Sequence, residues 1–184
     1  DAWDGGHRVP CIVRWPGVTE PESVCDQLVC LSDLLATCAA NIGEDLPDTA
    51  GEDSVSWLPL LMGKDSAVRD HVVHHSIQGK FAIRDGQWKL VLCPGSGGWA
   101  KSDAKAAEDG LPLVQLYDLA TDPGEQHNLE ADERRRVKSM VAQLAKIVRE
   151  GRSTPGESQA NDADVDIWKL STMPAVDPAI LDDY

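Results

Sequence analysis

A cluster of histidines is the feature of this sequence best suited to chemistry. His71, His74 and His75 lie close together in the chain. An imidazole donates and accepts hydrogen bonds and protonates near neutral pH, so it can contact a ligand or bind a metal ion. In an extended segment His74 and His75 point to opposite faces, and no further metal ligands are suggested nearby. Two interpretations stay open, ligand contact by His74 or His75 and simple packing or exposure; a metal site is not expected.

A second candidate segment carries two glycines beside a histidine and an arginine. Gly5 and Gly6 allow the backbone to pass close to neighbouring atoms. The planar guanidinium of Arg8 suits an ion pair or an oxyanion, and we expect a buried salt bridge that fixes this loop. His7 is a further candidate for ligand contact.

A glycine-rich loop forms the third candidate. Residues 94–99 read Pro-Gly-Ser-Gly-Gly-Trp. Phosphate-binding loops also place glycines around a serine, but here no Gly-Lys-Ser/Thr follows and no helix opens at once, so nucleotide binding is not expected. The segment is either a plain hairpin loop or a loop in which Trp99 offers its ring to a sugar or an aryl group.

The cysteines do not follow a metal-binding pattern. Their spacing lacks the close pairs of zinc sites. We expect buried free thiols, with one disulfide as the alternative. The cysteines are Cys11, Cys25, Cys30, Cys38 and Cys93.

The histidines and the glycine loop are predicted to lie on a small antiparallel sheet. Alternation over residues 71–76 predicts one strand, and three more are predicted at residues 80–84, 87–93 and 113–119. Asp85 and Gly86 predict a tight hairpin between two of these strands. Helical spacing of apolar residues predicts one covering helix, over residues 132–150. Four strands with one packed helix form an α+β unit.

The residues before this sheet predict a different arrangement of secondary structure. Residues 9–15 are expected to form a short apolar strand, and residues 28–42 a helix whose start Ser32 or Asp33 could cap. An acidic surface loop and a short apolar segment follow. The polar residues 153–166 predict a mobile tail, with Trp168 able to dock elsewhere.

The charge balance excludes some partners. The chain has 31 acidic and 17 basic residues and a net charge of −14. Nucleic acids and anionic membrane surfaces require clustered Lys and Arg, so neither is expected as a partner. No apolar run approaches the roughly 20 residues that cross a bilayer.

Five sequence blocks, in order, resemble those of sulfatases of the arylsulfatase type. Residues 116–129 are similar to L-Y-D-L-x-x-D-P-x-E-x-x-N-L, and residues 4–17 to E-G-G-x-R-V-P-x-I-x-x-W-P-G, with Asp4 in place of Glu. In a third block Ala36 replaces the family's Pro. The remaining similar blocks are residues 32–37, 56–64 and 81–90.

The resemblance implies an α+β architecture that is divided into three parts. Residues 1–68 would end an alkaline-phosphatase-like α/β domain. Residues 69–152 would form the C-terminal subdomain, a four-stranded antiparallel sheet with one packed helix. Residues 153–184 would form a polar tail. By the same resemblance the protein is expected to be periplasmic or secreted.

The resemblance also implies hydrolysis of sulfate monoesters of aryl or sugar alcohols. The substrate would be a sulfated small molecule or glycan, and the remainder of the catalytic domain a partner. In the family a Cys or Ser in C/S-x-P-S/A-R becomes formylglycine beside a calcium site. No cysteine here begins that motif. Calcium and formylglycine are therefore expected in the full enzyme and not in this chain, which alone should be inactive.

Site roles follow from the resemblance as expectations. The expected substrate contacts are His74, His75, His7 and Trp99. The expected structural positions are Arg8, Gly5, Gly6, Asp122 and Pro123. The alternatives are a non-catalytic carbohydrate-binding or degenerate sulfatase-like module, and a phosphatase or phosphonate hydrolase of the same superfamily. The block at residues 116–129 weighs against the phosphatase.

Overall fold

A computed structural model of the chain describes residues 1–173 and 178–184. They divide into two compact units. The first contains residues 1–9, 73–146 and 163–184, and the second contains residues 10–72 and 147–162. The helices are α1 (Leu34–Ile42), α2 (Leu58–Leu61), α3 (Asp103–Glu108) and α4 (Arg134–Glu150). The strands are β1 (His71–His75), β2 (Phe81–Asp85), β3 (Trp88–Val91) and β4 (Gln115–Asp118). Short 3-10 turns lie at Asp4–Gly6, Leu31–Asp33, Leu170–Thr172 and Pro178–Asp183.

The four strands form one antiparallel sheet, as predicted, and lie in the order β1-β2-β3-β4. β2 and β3 are joined by a two-residue turn in which Gly86 has a φ of 55°. This left-handed conformation is one that glycine adopts without steric cost, so the Asp85-Gly86 prediction is confirmed. In the register Asp85 lies opposite Trp88 and Ile83 opposite Leu90.

The buried faces of the sheet and of α4 supply the core of the first unit. Apolar side chains of all three later strands are inaccessible to solvent, as are Val137 and Leu144 of α4. The helix begins at Arg134, two residues later than predicted, and ends where Gly151 adopts a φ of 64°. Arg136 lies with its guanidinium carbon 4.0 Å from the centroid of the Trp88 ring, which adds a cation–π contact.

The end of β4 is bordered by the side chain of Asn128. Its Oδ1 accepts hydrogen bonds from the N–H groups of Leu116 (2.9 Å) and Glu130 (3.0 Å). Its Nδ2 donates to the Val114 carbonyl at 3.0 Å, and the Leu129 N–H donates to the Leu116 carbonyl at 2.8 Å. Asn128 therefore pairs with the β4 backbone much as a neighbouring strand would.

The second unit is built around the buried carboxylate of Asp33. It accepts hydrogen bonds from the N–H groups of Cys30 (2.7 Å) and Val55 (2.9 Å) and pairs with Arg69 at 3.2 Å. The expected helix therefore starts as a 3-10 turn at Leu31, and α1 follows. Asp33 precedes α1 but makes no side-chain capping bond to it, so the predicted cap is wrong; its carboxylate instead accepts the N–H of Cys30, before the 3-10 turn.

The strand predicted over residues 9–15 is wrong. These residues form no strand, and the Ile12 side chain is 91% exposed. A strand is stable only when its backbone groups pair with a neighbour, and no described residue provides that pairing for residues 10–14. Apolar character alone was therefore an insufficient signal.

The burial predicted for the cysteines is also wrong except at one position. All five are free thiols, and only Cys93 is buried. Cys38 is exposed because the face of α1 that carries it is uncovered in this chain.

The first residues of the predicted mobile tail are hydrogen-bonded to Arg152. Its guanidinium donates to the carbonyls of Thr154 (2.9 Å), Pro155 (2.9 Å) and Glu157 (2.8 Å). Further along, the Trp168 ring packs 5.8 Å from that of Tyr184. In the described part of the chain, no helix has both the length and the apolar character that a membrane span requires.

Candidate functional site

The structure brings His7 and His74 together. His74 lies in β1, and His7 directly follows the 3-10 turn Asp4–Gly6. Their ring centroids are 4.1 Å apart, with an angle of 33° between the ring planes. We call these two residues the histidine pair. The Nε2 atoms of both rings are buried, and neither has a hydrogen-bond partner among the described residues.

The histidine pair is uncharged at neutral pH. Burial, reinforced by the charge of His7, lowers the pKa of His74 from 6.5 to about 3. Burial and the positive charge of Lys89 lower the pKa of His7. The expectation that His74 protonates near neutral pH is therefore wrong, because desolvation disfavours the imidazolium ion. Each neutral ring offers one N–H donor and one acceptor nitrogen.

A buried lysine lies beside the histidine pair. Lys89 is fully buried in β3, and its Nζ lies 2.9 Å from Glu125 Oε1 and 3.3 Å from Asp4 Oδ1. Glu125 Oε2 also accepts a hydrogen bond from the Asp4 N–H at 2.5 Å. We call Asp4, Lys89 and Glu125 the buried triad. It joins β3, the segment before His7 and the turn at Asp122 and Pro123.

The turn at Asp122 and Pro123 places Glu125. The Asp122 carboxylate accepts hydrogen bonds from the N–H groups of Gln126 and His127, both at 2.8 Å. Glu125 itself has a φ of 52°, in the left-handed region that non-glycine residues rarely adopt. The conformation is compensated by the two interactions that its carboxylate makes inside the buried triad.

His75 lies apart from the histidine pair, as the alternation along β1 predicts. Its ring contacts Phe81 edge-on, with centroids 4.1 Å apart. The Nζ of Lys169 lies 5.4 Å from the Phe81 centroid, so a positive charge lies near His75. His74 and His75 therefore cannot both contact one ligand atom.

Trp99 is an exposed ring on an anchored loop. Its side chain is 84% exposed. The Asp1 carboxylate accepts hydrogen bonds from the backbone N–H of Trp99 (2.8 Å) and from the Ser96 hydroxyl (2.9 Å). A Cβ at Gly98 would lie 2.3 Å from Asp1 Oδ1, so only glycine allows this close approach. The glycines fold the loop tightly around a carboxylate, and Trp99 projects from it.

Of the remaining predicted positions, Gly6 makes a close approach and Gly5 does not. A Cβ at Gly6 would lie 2.6 Å from the Asp1 carbonyl oxygen, whereas the space around Gly5 is open. The Arg8 side chain is exposed and makes no ion pair with any described residue, so the buried salt bridge expected of it does not form within this chain. The salt bridge near this segment is made by Asp4 instead, with Lys89.

The roles of Lys89 and Glu125 were not predicted from the sequence. Both lie in blocks that were recognised, but neither was assigned a function. A usable signal was present, since Lys89 precedes two apolar residues in the middle of a predicted strand. A charged residue at a buried strand position requires a partner of opposite charge.

The buried polar atoms without hydrogen bonds that line the other cavities of the first unit, in Arg136, Glu125 and Glu130, each take part in an ion pair, unlike those of the histidine pair. One of about 590 Å³ is lined by Trp88 and Arg136. Another of about 770 Å³ is lined by Trp3 and Tyr117, whose Nε1–H and O–H both donate to Gln115 Oε1, at 2.9 and 2.6 Å. The histidine pair, with its unpartnered nitrogens, is the stronger candidate for ligand contact.

The fold and these motifs are those of the C-terminal part of the sulfatase family, whose members have the alkaline-phosphatase-like fold. A solved structure described under the metabolism of multiple glycosaminoglycans by Bacteroides thetaiotaomicron superimposes with a TM-score of 0.66 and 31% identity. The match covers 79% of this chain and 30% of that one. Residues 2–153 match the family described as N-sulphoglucosamine sulphohydrolase, C-terminal. The chain belongs to that family, which confirms the resemblance to sulfatases.

Curated relatives agree with this assignment. The N-acetylgalactosamine-6-O-sulfatase of Bacteroides thetaiotaomicron is 36% identical over 131 residues, covering 70% of this chain and 25% of the relative. Human arylsulfatase A is 34% identical over 140 residues, covering 69% and 27%. The chain thus spans between 25% and 27% of the length of these two relatives.

Proposed function

We propose that this chain supplies scaffold and substrate-contacting side chains to a sulfatase that hydrolyses sulfate monoesters of sugars. The observation that carries the proposal is the histidine pair, two stacked imidazoles whose Nε2 atoms are buried and unpartnered among the described residues. A buried polar atom without a partner costs about 1–3 kcal/mol. A substrate oxygen that forms hydrogen bonds with these Nε2 atoms would remove that cost.

The charge state of the histidine pair favours a sugar over a simple aryl sulfate. Uncharged imidazoles offer donors and acceptors without a net charge, which suits hydroxyl groups better than the sulfate anion. Two relatives support a carbohydrate substrate, since they are called an N-acetylgalactosamine-6-O-sulfatase (36% identical) and an ulvan-active sulfatase (32% identical).

His75 and Trp99 are the second pair of proposed contacts. The exposed indole of Trp99 suits stacking against a sugar ring, and the Asp1 carboxylate holds the loop in place before ligand arrives. A preformed loop loses less conformational entropy on binding than a free one. His75 would contact a different part of the substrate from His74.

The reactive groups belong to the remainder of the catalytic domain. Calcium and formylglycine do not fit the residues present here, because no cysteine begins C/S-x-P-S/A-R and the described residues contain no group of three or more metal-ligating side chains. We assign no chemical step to this chain and expect it to be inactive alone. The parts 1–68, 69–152 and 153–184, and a periplasmic or secreted location, are further proposals.

The test compares two histidine variants with the remainder of the sulfatase present. His74→Gln should raise KM for a 6-O-sulfated N-acetylgalactosamine about 10- to 100-fold, the equivalent of losing one or two buried hydrogen bonds, with little change in kcat. KM for p-nitrophenyl sulfate, which has no sugar hydroxyls, should not change. His127→Gln is the matched control, since that side chain is 82% exposed.

Two outcomes would overturn the proposal. If both variants behave alike toward the sugar substrate, the histidine pair does not contact it. If the protein binds sulfated sugars but hydrolyses neither substrate, it is a carbohydrate-binding module rather than an enzyme.

A further inference from the structure

Stability alone does not explain the buried lysine of β3. The Lys89 side chain has no solvent exposure. Moving an ammonium group out of water costs several kcal/mol, and buried ion pairs are often no more stable than apolar groups of the same size. Leu90 and Val91, which follow it, are also fully buried. The side chains of its partners Asp4 and Glu125 are largely buried too, so three charged groups stand where apolar side chains could have packed without desolvation, and their placement requires another explanation.

The contacts of Lys89 lead directly to His7. Its partner Asp4 opens the 3-10 turn Asp4–Gly6, and the Asp4 carbonyl accepts hydrogen bonds from the N–H groups of His7 (2.9 Å) and Arg8 (2.7 Å). Glu125 also holds Asp4, because its carboxylate accepts a hydrogen bond from the Asp4 N–H. Both the side chain and the backbone of Asp4 are therefore held in place. Because the His7 N–H binds the Asp4 carbonyl, the position of His7 is fixed as well.

We propose that Lys89 is a positioning residue for the histidine pair: by gripping Asp4 and Glu125, its ammonium group fixes the segment that holds His7 against His74. The inference rests on the proposed function only in taking the histidine pair as a substrate contact. Lys89 does not itself touch the substrate.

The charge of Lys89 has a second effect on the histidine pair. The charged and titratable groups that act on His7 are Lys89, Asp4, His75 and the amino group of Asp1. Those that act on His74, besides His7, are Lys89, Arg84 and His75. Among these only Asp4 favours protonation. The ammonium that positions His7 thus also helps to keep both rings neutral and able to accept a hydrogen bond.

The test is an NMR titration of the histidine side chains in the full 184-residue chain. Lys89→Met removes the charge and keeps most of the length of the side chain, and it should raise the titration midpoints of His7 and His74. Asp4→Asn removes the opposite charge and should lower the midpoint of His7. Lys138→Met is the control, because Lys138 is exposed on α4.

The histidine midpoints, read together with the far-ultraviolet circular dichroism of each variant, separate local positioning from a general loss of structure. If the midpoints rise in both variants and the circular dichroism signal of the folded chain is lost as well, Lys89 supports the fold as a whole, which would overturn the proposal. Unchanged midpoints in Lys89→Met would overturn it as well. Should Lys89→Met not fold, the variant Lys89→Met/Glu125→Gln removes both charges of the shorter ion pair and should show the same upward shift.

Kinetics distinguish this inference from the proposed function. With the remainder of the sulfatase present, Lys89→Met should raise KM for the sulfated sugar about 10-fold and act more strongly at acidic pH, where the histidine pair would now be protonated. A shift in the titration without any sulfatase activity would refute the proposed function and leave the positioning role. An effect of His74→Gln on KM without a shift in Lys89→Met would refute only the positioning role.

Discussion

Replacing Asn128 by alanine should destabilise the chain more than any typical surface substitution. The side chain makes three hydrogen bonds of 2.9 to 3.0 Å, two of them to backbone groups of Leu116 and Val114 that have no solvent exposure. Alanine leaves those two buried groups without partners, at about 1–3 kcal/mol each. Water can reach part of the half-buried site, so we expect a loss of about 3 kcal/mol in the free energy of unfolding.

The assay is urea unfolding followed by far-ultraviolet circular dichroism. The midpoint should fall while the slope with urea stays unchanged, because the substitution removes bonds without altering the surface exposed on unfolding. For a chain of this length the same loss lowers Tm by about 6 to 12 °C. Asn128→Asp retains the accepting oxygen and loses the donor to Val114, so its loss should be intermediate.

Asn41→Ala is the matched control. Asn41 is exposed on α1, and its side chain makes no hydrogen bond to any described residue. Alanine is the better helix former, so stability should stay the same or rise by up to about 0.5 kcal/mol. If Asn128→Ala falls within about 0.5 kcal/mol of the wild type, the pairing of this side chain with β4 does not stabilise the fold.

Three further predictions follow from the buried ionisable groups. Burial raises the pKa of the Cys93 thiol to about 12, so iodoacetamide at pH 8 should alkylate Cys38 and spare Cys93 in the native chain; peptide masses showing equal labelling would contradict this. Burial lowers the pKa of His74 from 6.5 to about 3, so between these values the unfolded chain binds a proton that the folded chain does not. The free energy of unfolding should therefore decrease as pH falls through that window, by up to about 1.4 kcal/mol per pH unit. If the free energy of unfolding of His74→Gln changed with pH just as steeply, the low pKa of His74 would be refuted. Lys80→Met removes the 2.8 Å ion pair with Asp103 and should cost about 3 kcal/mol at pH 7 in urea unfolding, against no change for the exposed Lys64→Met; equal stability of the two variants would contradict it.

The sheet and the long helix could be predicted because their signals are local. Alternation from His71, the Asp85-Gly86 turn and the apolar stripe of α4 each lie within a few neighbouring residues, and all three were correct. The short helix α3 was missed although Ser102 caps it, with its hydroxyl accepting the Lys105 N–H at 3.2 Å. A serine followed by an aspartate and alanines carries that signal, but it is weak over six residues.

The candidate site could be predicted only in part, because its contacts join distant segments. The hydrogen bond between Lys89 and Asp4 spans 85 positions in the sequence. His7 and His74 were separate candidates, and no local pattern indicates that their rings stack. The strand predicted over residues 9–15 is wrong for a related reason, since a strand depends on a neighbouring strand that the apolar pattern cannot identify.

Asn128 also determines how the sheet meets other molecules. β4 ends the strand order, and an outermost strand with free N–H and C=O groups is a template for association with another chain. Here the groups at Val114 and Leu116 are already occupied by Asn128 and Leu129. A single amide side chain thus closes part of this border against a fifth strand. Loss of Asn128 would therefore open a route to aggregation through strand addition, even in molecules that remain folded.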